Sequence, residues 1–263
     1  MREKQAVYFM KDAVFAAADA LKAGNADGAG EAALKVLLKG WFQDQSEPVA
    51  LLSDGLAVPV IARSQAQFDD FTKQIAGYNG PCFTVCAVCG QNAYERGLRD
   101  YCISAAYMEA RELKAAMVFD PSHAELYHAV KSLGAYMNGK SLSVSRCKRM
   151  LDAYLSLDYG TLRTANETAL HDLISQAQSV RSGAAFSLEL CHLASGRIDA
   201  AVGCRQSFIA SAAGRLIAQE AGAAMLGFDG QPLPPMGEIG ERTSFAAVCP
   251  GLQQEMSGLL AAL

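Results

Sequence analysis

Three of the eight cysteines in the chain fall within one short stretch, CFTVCAVCGQ, at Cys82, Cys86 and Cys89. Thiolates at this C-x₃-C-x₂-C spacing can hold an iron–sulfur (Fe–S) cluster, and some of them with a ligand from elsewhere can hold Zn²⁺. Alternatively, buried cysteines serve as small apolar residues inside a strand. In a regular strand Cys82 and Cys86 share one face, so a loop after Cys86 must re-aim Cys89.

A reactive thiolate at Cys86 or Cys89 is a further interpretation of this stretch. Such a thiolate needs a base, a cation or a helix N-terminus beside it to lower its pKa. The neighbouring cations in the sequence are Arg96 and Arg99. These residues are therefore consistent with an enzyme that uses a soft metal ion or a cysteine nucleophile.

Other residues that could do chemistry form weaker patterns. Asp69 and Asp70 are paired acids, but they fall in a predicted helix over residues 64–76 whose apolar stripe favours a solvent-exposed position for them. His123 and His128 flank a predicted turn and match no pattern that activates a nucleophile. These residues are therefore interpreted as structural.

The elements that must position the cysteines alternate between helices and strands. Apolar residues at helical spacing predict a first helix that ends at Gly24 and a second over residues 31–42. Short apolar runs between prolines predict short strands within residues 45–64. The sequence from residue 80 predicts further strands, and Asn138-Gly139 predicts a hairpin.

The last hundred residues predict four more helices, the final one with Pro250 in its first turn. These helices cover residues 166–180, 184–196, 207–223 and 250–263. The chain is thus expected to be an α/β (α+β) protein. We expect one compact unit over residues 1–263, with approximate halves 1–150 and 151–263.

The composition excludes several classes of function. A net charge of −4 over 263 residues argues against non-specific binding of nucleic acid. No apolar run reaches the ~18 residues that cross a bilayer, so no membrane association is expected. We expect a cytoplasmic protein, in which the eight cysteines are thiols or ligands rather than disulfides.

Five stretches follow one another along the chain: RGLRDYCISAAYM, VFDPSHAELYHAVKSLGAYMNGKSLSVS, VRSGAAFSLELCHLASGRIDAAVG, SAAGRLIAQEAGAAMLGFDGQPL and SFAAVCPGLQQEMSGLL. In this order they resemble the inositol monophosphatase family of magnesium-dependent phosphatases. The resemblance implies a layered α-β-α-β-α sandwich, usually a dimer, with the active site between its two halves. It also implies two or three Mg²⁺ ions held by carboxylates, because Mg²⁺ prefers oxygen ligands.

The family's first ligand motif, D-P-x-D-G-T, falls on CAVCGQ. Both aspartates are replaced, by Cys86 and Cys89, while Gly90 is kept and Gln91 stands in place of the threonine. The family's G-E-E segment falls on residues 62–64, which are ARS.

The second ligand motif, W-D-x-A-A-G, falls on IASAAG. Its aspartate becomes Ala210, and Gly203 replaces the acidic residue on the substrate side seven positions earlier. Thiols are soft ligands and alanine offers none, so Mg²⁺ binding is not expected.

The resemblance and these replacements together predict a non-catalytic pseudophosphatase. We expect a binding, regulatory or scaffolding subunit that forms a homodimer or a heterodimer with a related chain and needs no cofactor. A small anionic ligand could occupy a cleft that has lost its negative charges. The alternative is a phosphatase-like hydrolase of sugar or inositol phosphates that uses an atypical site, with Zn²⁺, an iron–sulfur cluster or a cysteine.

Overall fold

The computed structural model describes residues 2–45, 47–53, 60–64, 67–70, 79–234 and 242–263, with the backbone alone for 60–64 and 67–70. The helices are α1 (Arg2–Lys22), α2 (Ala26–Asp44), α3 (Gln91–Glu95), α4 (Tyr159–Thr164), α5 (Glu167–Gln176), α6 (Phe186–Ala194), α7 (Phe208–Glu220) and α8 (Gln253–Leu260). The strands of the first sheet are β1 (Val49–Ser53), β2 (Val60–Ser64), β3 (Gln67–Asp70), β4 (Cys82–Cys89), β5 (Cys102–Glu109), β6 (Glu112–Asp120), β7 (Glu125–Val130), β8 (Ala135–Met137) and β9 (Lys140–Ser141). Those of the second are β10 (Tyr154–Leu157), β11 (Ser179–Arg181), β12 (Ala200–Ser207), β13 (Ala224–Gly227) and β14 (Arg242–Val248).

The two sheets have different topologies. The first runs in the order β3-β2-β1-β4-β5-β6-β7-β8-β9, with a parallel pair at β1 and β4 and antiparallel pairs elsewhere. The second runs in the order β11-β10-β12-β14-β13, and its parallel pairs join β10 to β11 and to β12. Each parallel pair needs a crossover connection, because a tight hairpin can join only antiparallel strands.

The helices cover both faces of both sheets. Helices α1 and α2 pack on one face of the first sheet, and α6 and α7 pack on its other face. The same α6 and α7 contact the inner face of the second sheet, while α5 and α8 cover its outer face. This order of layers is the predicted α-β-α-β-α sandwich, so the fold prediction is confirmed.

Local sequence signals account for the first helices and for the hairpin. Helix α1 buries apolar residues at helical spacing and stops before Gly24, whose φ is +75°. The side chain of Asn25 caps α2 by accepting a hydrogen bond from the Gly28 amide at 2.9 Å. Asn138 and Gly139 both have positive φ between β8 and β9, as a two-residue hairpin turn requires.

The predicted helix over residues 64–76 is wrong where the structure describes it. Residues 67–70 form strand β3, which pairs antiparallel with β2 and carries Asp69 and Asp70. Pairing with a neighbouring strand satisfies the backbone here and overrides the helical spacing of the apolar residues. Residues 71–76, the rest of the prediction, lie outside the described residues.

The four helices predicted in the second half are present, and the structure adds the short helix α4 before them, which was not predicted. Helices α5, α6 and α7 lie within the predicted ranges, and the last helix is preceded by a 3₁₀ turn at Pro250–Leu252, so that α8 itself begins at Gln253. Among the helices described, none combines the length and apolar character needed to span a bilayer.

An ion pair and a carboxylate bridge link the first sheet to the helical layer between the sheets. Arg197, in the loop between α6 and β12, donates to both carboxylate oxygens of Glu125 at 2.5 and 2.7 Å. The Tyr127 hydroxyl donates to the same carboxylate at 2.6 Å. The Arg197 guanidinium holds the pKa of Glu125 down at about 2. These contacts fix strand β7 against the loop that connects α6 to β12.

A second bridge joins the end of α7 to the turn between β7 and β8. The Glu220 carboxylate accepts hydrogen bonds from the amides of Ser132 and Gly134 at 2.8 and 2.9 Å. Ser132 and Gly134 both have positive φ, so the carboxylate holds a turn with unusual backbone angles.

Candidate functional site

A β-bulge brings the three cysteines of the opening stretch to one side of the first sheet. Cys86 pairs with Ser104 in β5, but Cys89 pairs with Cys102, so β4 contains one extra residue between them. Regular alternation would place Cys89 on the face opposite Cys86. Instead, Cys82, Cys86 and Cys89 all lie in the buried cluster against α6 and α7. A bulge within the strand, rather than the predicted loop, re-aims Cys89.

The bulge places Cys89 against the N-terminal part of α7. Its Sγ lies 3.3 Å from Ser104 Oγ and 4.0 Å from the carbonyl oxygen of Ala210. Ala210 and its neighbour Ile209 are partly buried and pack on the same cluster as Cys86 and Cys89. The structure therefore brings the positions of the first and second ligand motifs together.

Two further cysteines, which the sequence interpretation missed, complete this cluster. Cys102 lies directly across from Cys89, and Cys191 of α6 packs beside them. A hydrogen bond with Cys89 and burial raise the pKa of the Cys102 thiol well above its usual value, and burial raises that of Cys191. Burial also raises the pKa of Cys82 to about 12. Burial therefore favours the protonated form of these three thiols around the motif positions.

Gly90 and Gln91 follow the bulge and begin α3. Gly90 has a φ of +89°, and a Cβ atom there would lie 2.7 Å from the Asp100 carbonyl oxygen. Both the backbone and the space therefore require glycine. The Gln91 side chain donates to Glu95 on the exposed surface of α3 at 2.8 Å, so it does not join the thiols.

Gly203, on the substrate side of the resemblance, lies buried in β12. The ring of Phe186, at the start of α6, occupies the space beside it. Ala185, the residue before Phe186, lies close to Gly90. A Cβ atom on Gly90 would lie 3.2 Å from the Ala185 Cβ. Asp100, a carboxylate that the sequence interpretation did not single out, accepts a hydrogen bond from the Ala184 amide at 2.6 Å.

Buried carboxylates near the thiols are engaged elsewhere. Asp120 accepts from the amides of Ser122 and His123 and lies 2.7 Å from the His123 ring. Glu189 of α6 forms an ion pair with Arg181 at 3.2 Å. Asp120 therefore holds the turn after β6, whereas both carboxylate oxygens of Glu189 are buried without a hydrogen-bond partner among the described residues.

The donor set does not fit Mg²⁺. Thiols and an alanine stand where carboxylate oxygens are needed, and the structure describes only the backbone of residues 62–64. Within the described part of the chain, no three or more histidine, cysteine or acidic side chains are arranged to hold a metal ion. All eight cysteines fall within this part, and none forms a disulfide.

Comparisons with known proteins agree with the fold. Among curated proteins, the chain is 30% identical over 155 residues to the Nus factor SuhB of Xylella fastidiosa and 31% identical over 137 residues to an inositol-1-monophosphatase of Bacillus subtilis. These matches cover 57% and 51% of the chain and 56% and 52% of the relatives. The chain thus spans just over half the length of the curated relatives it matches.

Solved structures match over nearly the whole chain. An inositol monophosphatase from Anabaena (Nostoc) superimposes with a TM-score of 0.79 at 21% identity, covering 99% of this chain and 97% of that one. Inositol monophosphatase II from Staphylococcus aureus gives a TM-score of 0.76 at 17% identity, covering 96% and 90%. At these identities the likeness concerns the fold alone.

The family assignment follows from the sequence as a whole. The model of the inositol monophosphatase family matches residues 61–261, which include both ligand-motif positions and most of the chain. This chain belongs to the inositol monophosphatase family.

Proposed function

We propose that this chain is a pseudophosphatase: an inositol monophosphatase-like protein without the family's magnesium chemistry that acts as a binding, regulatory or scaffolding subunit in the cytoplasm. One observation carries the proposal. Cys89 and Ala210, at positions where the resemblance places two metal-binding aspartates, contact each other in a buried apolar cluster. Neither can supply an oxygen from its side chain.

The expected cost to catalysis is large. A metal ion contributes several kcal/mol of transition-state stabilisation to phosphoryl transfer, and each 1.4 kcal/mol or so is a tenfold change in rate. A loss of about 4 kcal/mol therefore lowers the rate about a thousandfold. The residues that remain at the site are thiols, which cannot replace this contribution while they are protonated.

A phosphatase assay tests the proposal. The purified chain would be given inositol monophosphate, fructose bisphosphate and nucleotide phosphates, with Mg²⁺, Mn²⁺ and Zn²⁺ in turn. We expect no turnover above that of a matched Cys86→Ala/Cys89→Ala variant. Turnover by the wild type that disappears in this variant would contradict a non-catalytic role.

We also propose that the chain acts as a homodimer or pairs with a related chain. Large apolar side chains are exposed in the second half of the chain, at Leu151, Tyr154 and Tyr159. Two matched relatives, from Xylella fastidiosa and Haemophilus influenzae, are named Nus factor SuhB rather than phosphatase, which supports a role through partners.

Light scattering after gel filtration tests the dimer. We expect twice the chain mass for the wild type and a shift toward monomer for Tyr154→Lys/Tyr159→Lys. Tyr8→Lys is the control, because Tyr8 is about as exposed as Tyr159 but lies on α1. A monomeric wild type, with and without a related chain present, would contradict this part of the proposal.

The second candidate, a hydrolase with a soft-metal or cysteine site, is supported by the convergence of several thiols. The raised pKa values of Cys82, Cys102 and Cys191 oppose a role for these three residues, because a nucleophile or ligand must be a thiolate. Metal analysis of anaerobically purified protein separates the two candidates. Stoichiometric zinc or iron lost on Cys86→Ser would favour the hydrolase, and its absence would favour the pseudophosphatase.

Thiol labelling gives an independent comparison. Cys147 and Cys204 are half-buried, whereas the other six cysteines are buried. In the native protein, we expect a thiol reagent to label these two first and the cluster only on unfolding. Rapid labelling of Cys86 or Cys89 would support the hydrolase.

A further inference from the structure

The absence of a side chain at Gly203 has a steric cause. Gly203 is not among the glycines with positive φ, so its backbone does not require glycine. It is buried in β12 and pairs directly with Phe245 of β14. The restriction at this position is therefore one of space.

Phe186 fills that space. A Cβ atom on Gly203 would lie 2.6 Å from Cζ and 2.8 Å from Cε1 of the Phe186 ring, and 2.7 Å from Cγ of Gln206. Real Cβ atoms do not approach other atoms this closely, so even an alanine would force its neighbours to move. The Cβ atom of an acidic side chain at this position would overlap the Phe186 ring in the same way.

Neither neighbour can move away easily. The Phe186 ring is only 8% exposed and packs edge to face on Phe245, with ring centroids 5.4 Å apart. The Gln206 side chain is tied to the Asp158 carboxylate by a hydrogen bond of 2.6 Å. Displacing the ring would break this aromatic contact and leave a void in the core.

Phe186 also directly follows residues that contact the region of the altered ligand motif in space. It follows Ala184, which donates to Asp100, and Ala185, which approaches Gly90. The segment 184–186, which leads into α6, therefore lies between Gly90 at the end of the bulged strand and Gly203 in β12. Loss of the metal ligands and closure of the substrate side occur in one continuous region.

We propose that Phe186 is the residue that excludes polyol and sugar phosphates from the substrate side of this region. The inference rests on the proposed pseudophosphatase function and deepens it. Restoring the acidic residues would not restore substrate binding while the Phe186 ring remains. A partner must then be bound elsewhere on the protein, which opposes the small anionic ligand expected from the sequence.

A thermal double-mutant cycle tests the packing. Gly203→Ala should lower the melting temperature by roughly 3–10 °C, because overpacking a core costs stability. In a Phe186→Ala background the same substitution should change the melting temperature far less. Equal shifts in the two backgrounds would show that Phe186 does not occupy this space and would overturn the inference.

A binding experiment tests the exclusion. The background Cys86→Asp/Cys89→Asp/Ala210→Asp would be titrated with inositol 1-phosphate and Mg²⁺, with and without Phe186→Ala/Gly203→Glu. We expect at least a tenfold gain in affinity from the added pair. No gain would contradict the inference, and the thermal cycle decides it if this background does not fold.

Binding and hydrolysis assays on the wild-type protein distinguish a failure of this inference from a failure of the proposed function. Hydrolysis of inositol 1-phosphate by the wild type would overturn the pseudophosphatase, whatever the Phe186 variants do. Binding of the ester to the wild type without hydrolysis would overturn only the exclusion by Phe186. Neither binding nor hydrolysis, together with a non-additive thermal cycle, is the result we expect.

Discussion

The thiol cluster and the two bridges between layers differ in whether they contain carboxylates: the bridges keep them, and the cluster has lost them. At the cluster, positions where the family places carboxylates hold Cys86, Cys89 and Ala210, and burial keeps neighbouring thiols protonated. At the bridges, the carboxylates of Glu125 and Glu220 accept hydrogen bonds from a neighbouring element at 2.5 to 2.9 Å. Both regions join the first sheet to the helices above it.

The difference separates what this fold needs from what the family's chemistry needs. A carboxylate that accepts two backbone or guanidinium hydrogen bonds stabilises the fold without a metal. A cluster of metal-binding carboxylates stabilises it only when the metal is present, because buried like charges otherwise repel. Thiols and alanine remove that dependence and leave an ordinary apolar core.

The largest change in stability is expected when carboxylates are put back into the thiol cluster. Cys86→Asp/Cys89→Asp/Ala210→Asp buries up to three charges and should lower the free energy of unfolding by several kcal/mol. Millimolar Mg²⁺ should recover part of this loss. Urea unfolding with and without Mg²⁺ measures both.

The matched control carries asparagine at the same three positions. It has nearly the same size but no charge, so Mg²⁺ should not stabilise it. Equal stability of the aspartate and asparagine variants, with no response to Mg²⁺, would show that the positions do not converge as the structure describes.

The second effect removes the ion pair between the layers. Arg197→Ala leaves the largely buried Glu125 carboxylate without its cation and should cost about 1–3 kcal/mol in urea unfolding. Arg149→Ala is the matched control, because Arg149 also forms a two-bond pair with an aspartate, Asp152, but on the exposed surface. A loss at Arg149 as large as that at Arg197 would contradict the bridging role.

A smaller effect is expected at the other bridge. Glu220→Gln removes the charge and one of two acceptors for the amides of Ser132 and Gly134, which should cost about 1 kcal/mol. Glu220→Ala removes both acceptors and should cost more. Amide hydrogen exchange at Ser132 and Gly134 should speed up in the same order, and unchanged exchange would argue against the bridge.

The smallest effect is a pH dependence of the Arg197 contribution. The folded pKa of Glu125 is about 2, below its usual 4.5, so the ion pair contributes its full stability above about pH 4.5. That contribution is lost as the pH falls toward 2. The difference in unfolding free energy between wild type and Arg197→Ala should therefore shrink over this range, and a difference that stays constant would contradict the assignment.

Local signals were enough to predict the layers but not every element. The stripe of α1, the strand composition of β4 and the Asn138-Gly139 turn each depend on neighbouring residues, and all three predictions are confirmed. The helix expected over residues 64–76 fails at β3, because pairing with β2 is a contact that helical spacing does not reveal.

The sequence predicted which motif positions meet at the site, but it did not predict which other side chains pack around them. The resemblance placed Cys89 and Ala210 at one site, and the structure finds them in contact across 121 residues of sequence. Cys102, Cys191 and Phe186 were missed. They reach the site through the register of β5 and the packing of α6, which depend on the whole fold.

The bulge in β4 has a consequence for protein design. It is a backbone feature, with one residue too many between Cys86 and Cys89, and it directs whatever side chain stands at position 89 toward α7. A designer who wants β4 and α7 to share a buried ligand can therefore use this backbone without changing it, because the side chain at position 89 already faces α7. New donors could be chosen by chemistry alone, with the strand supplying their direction.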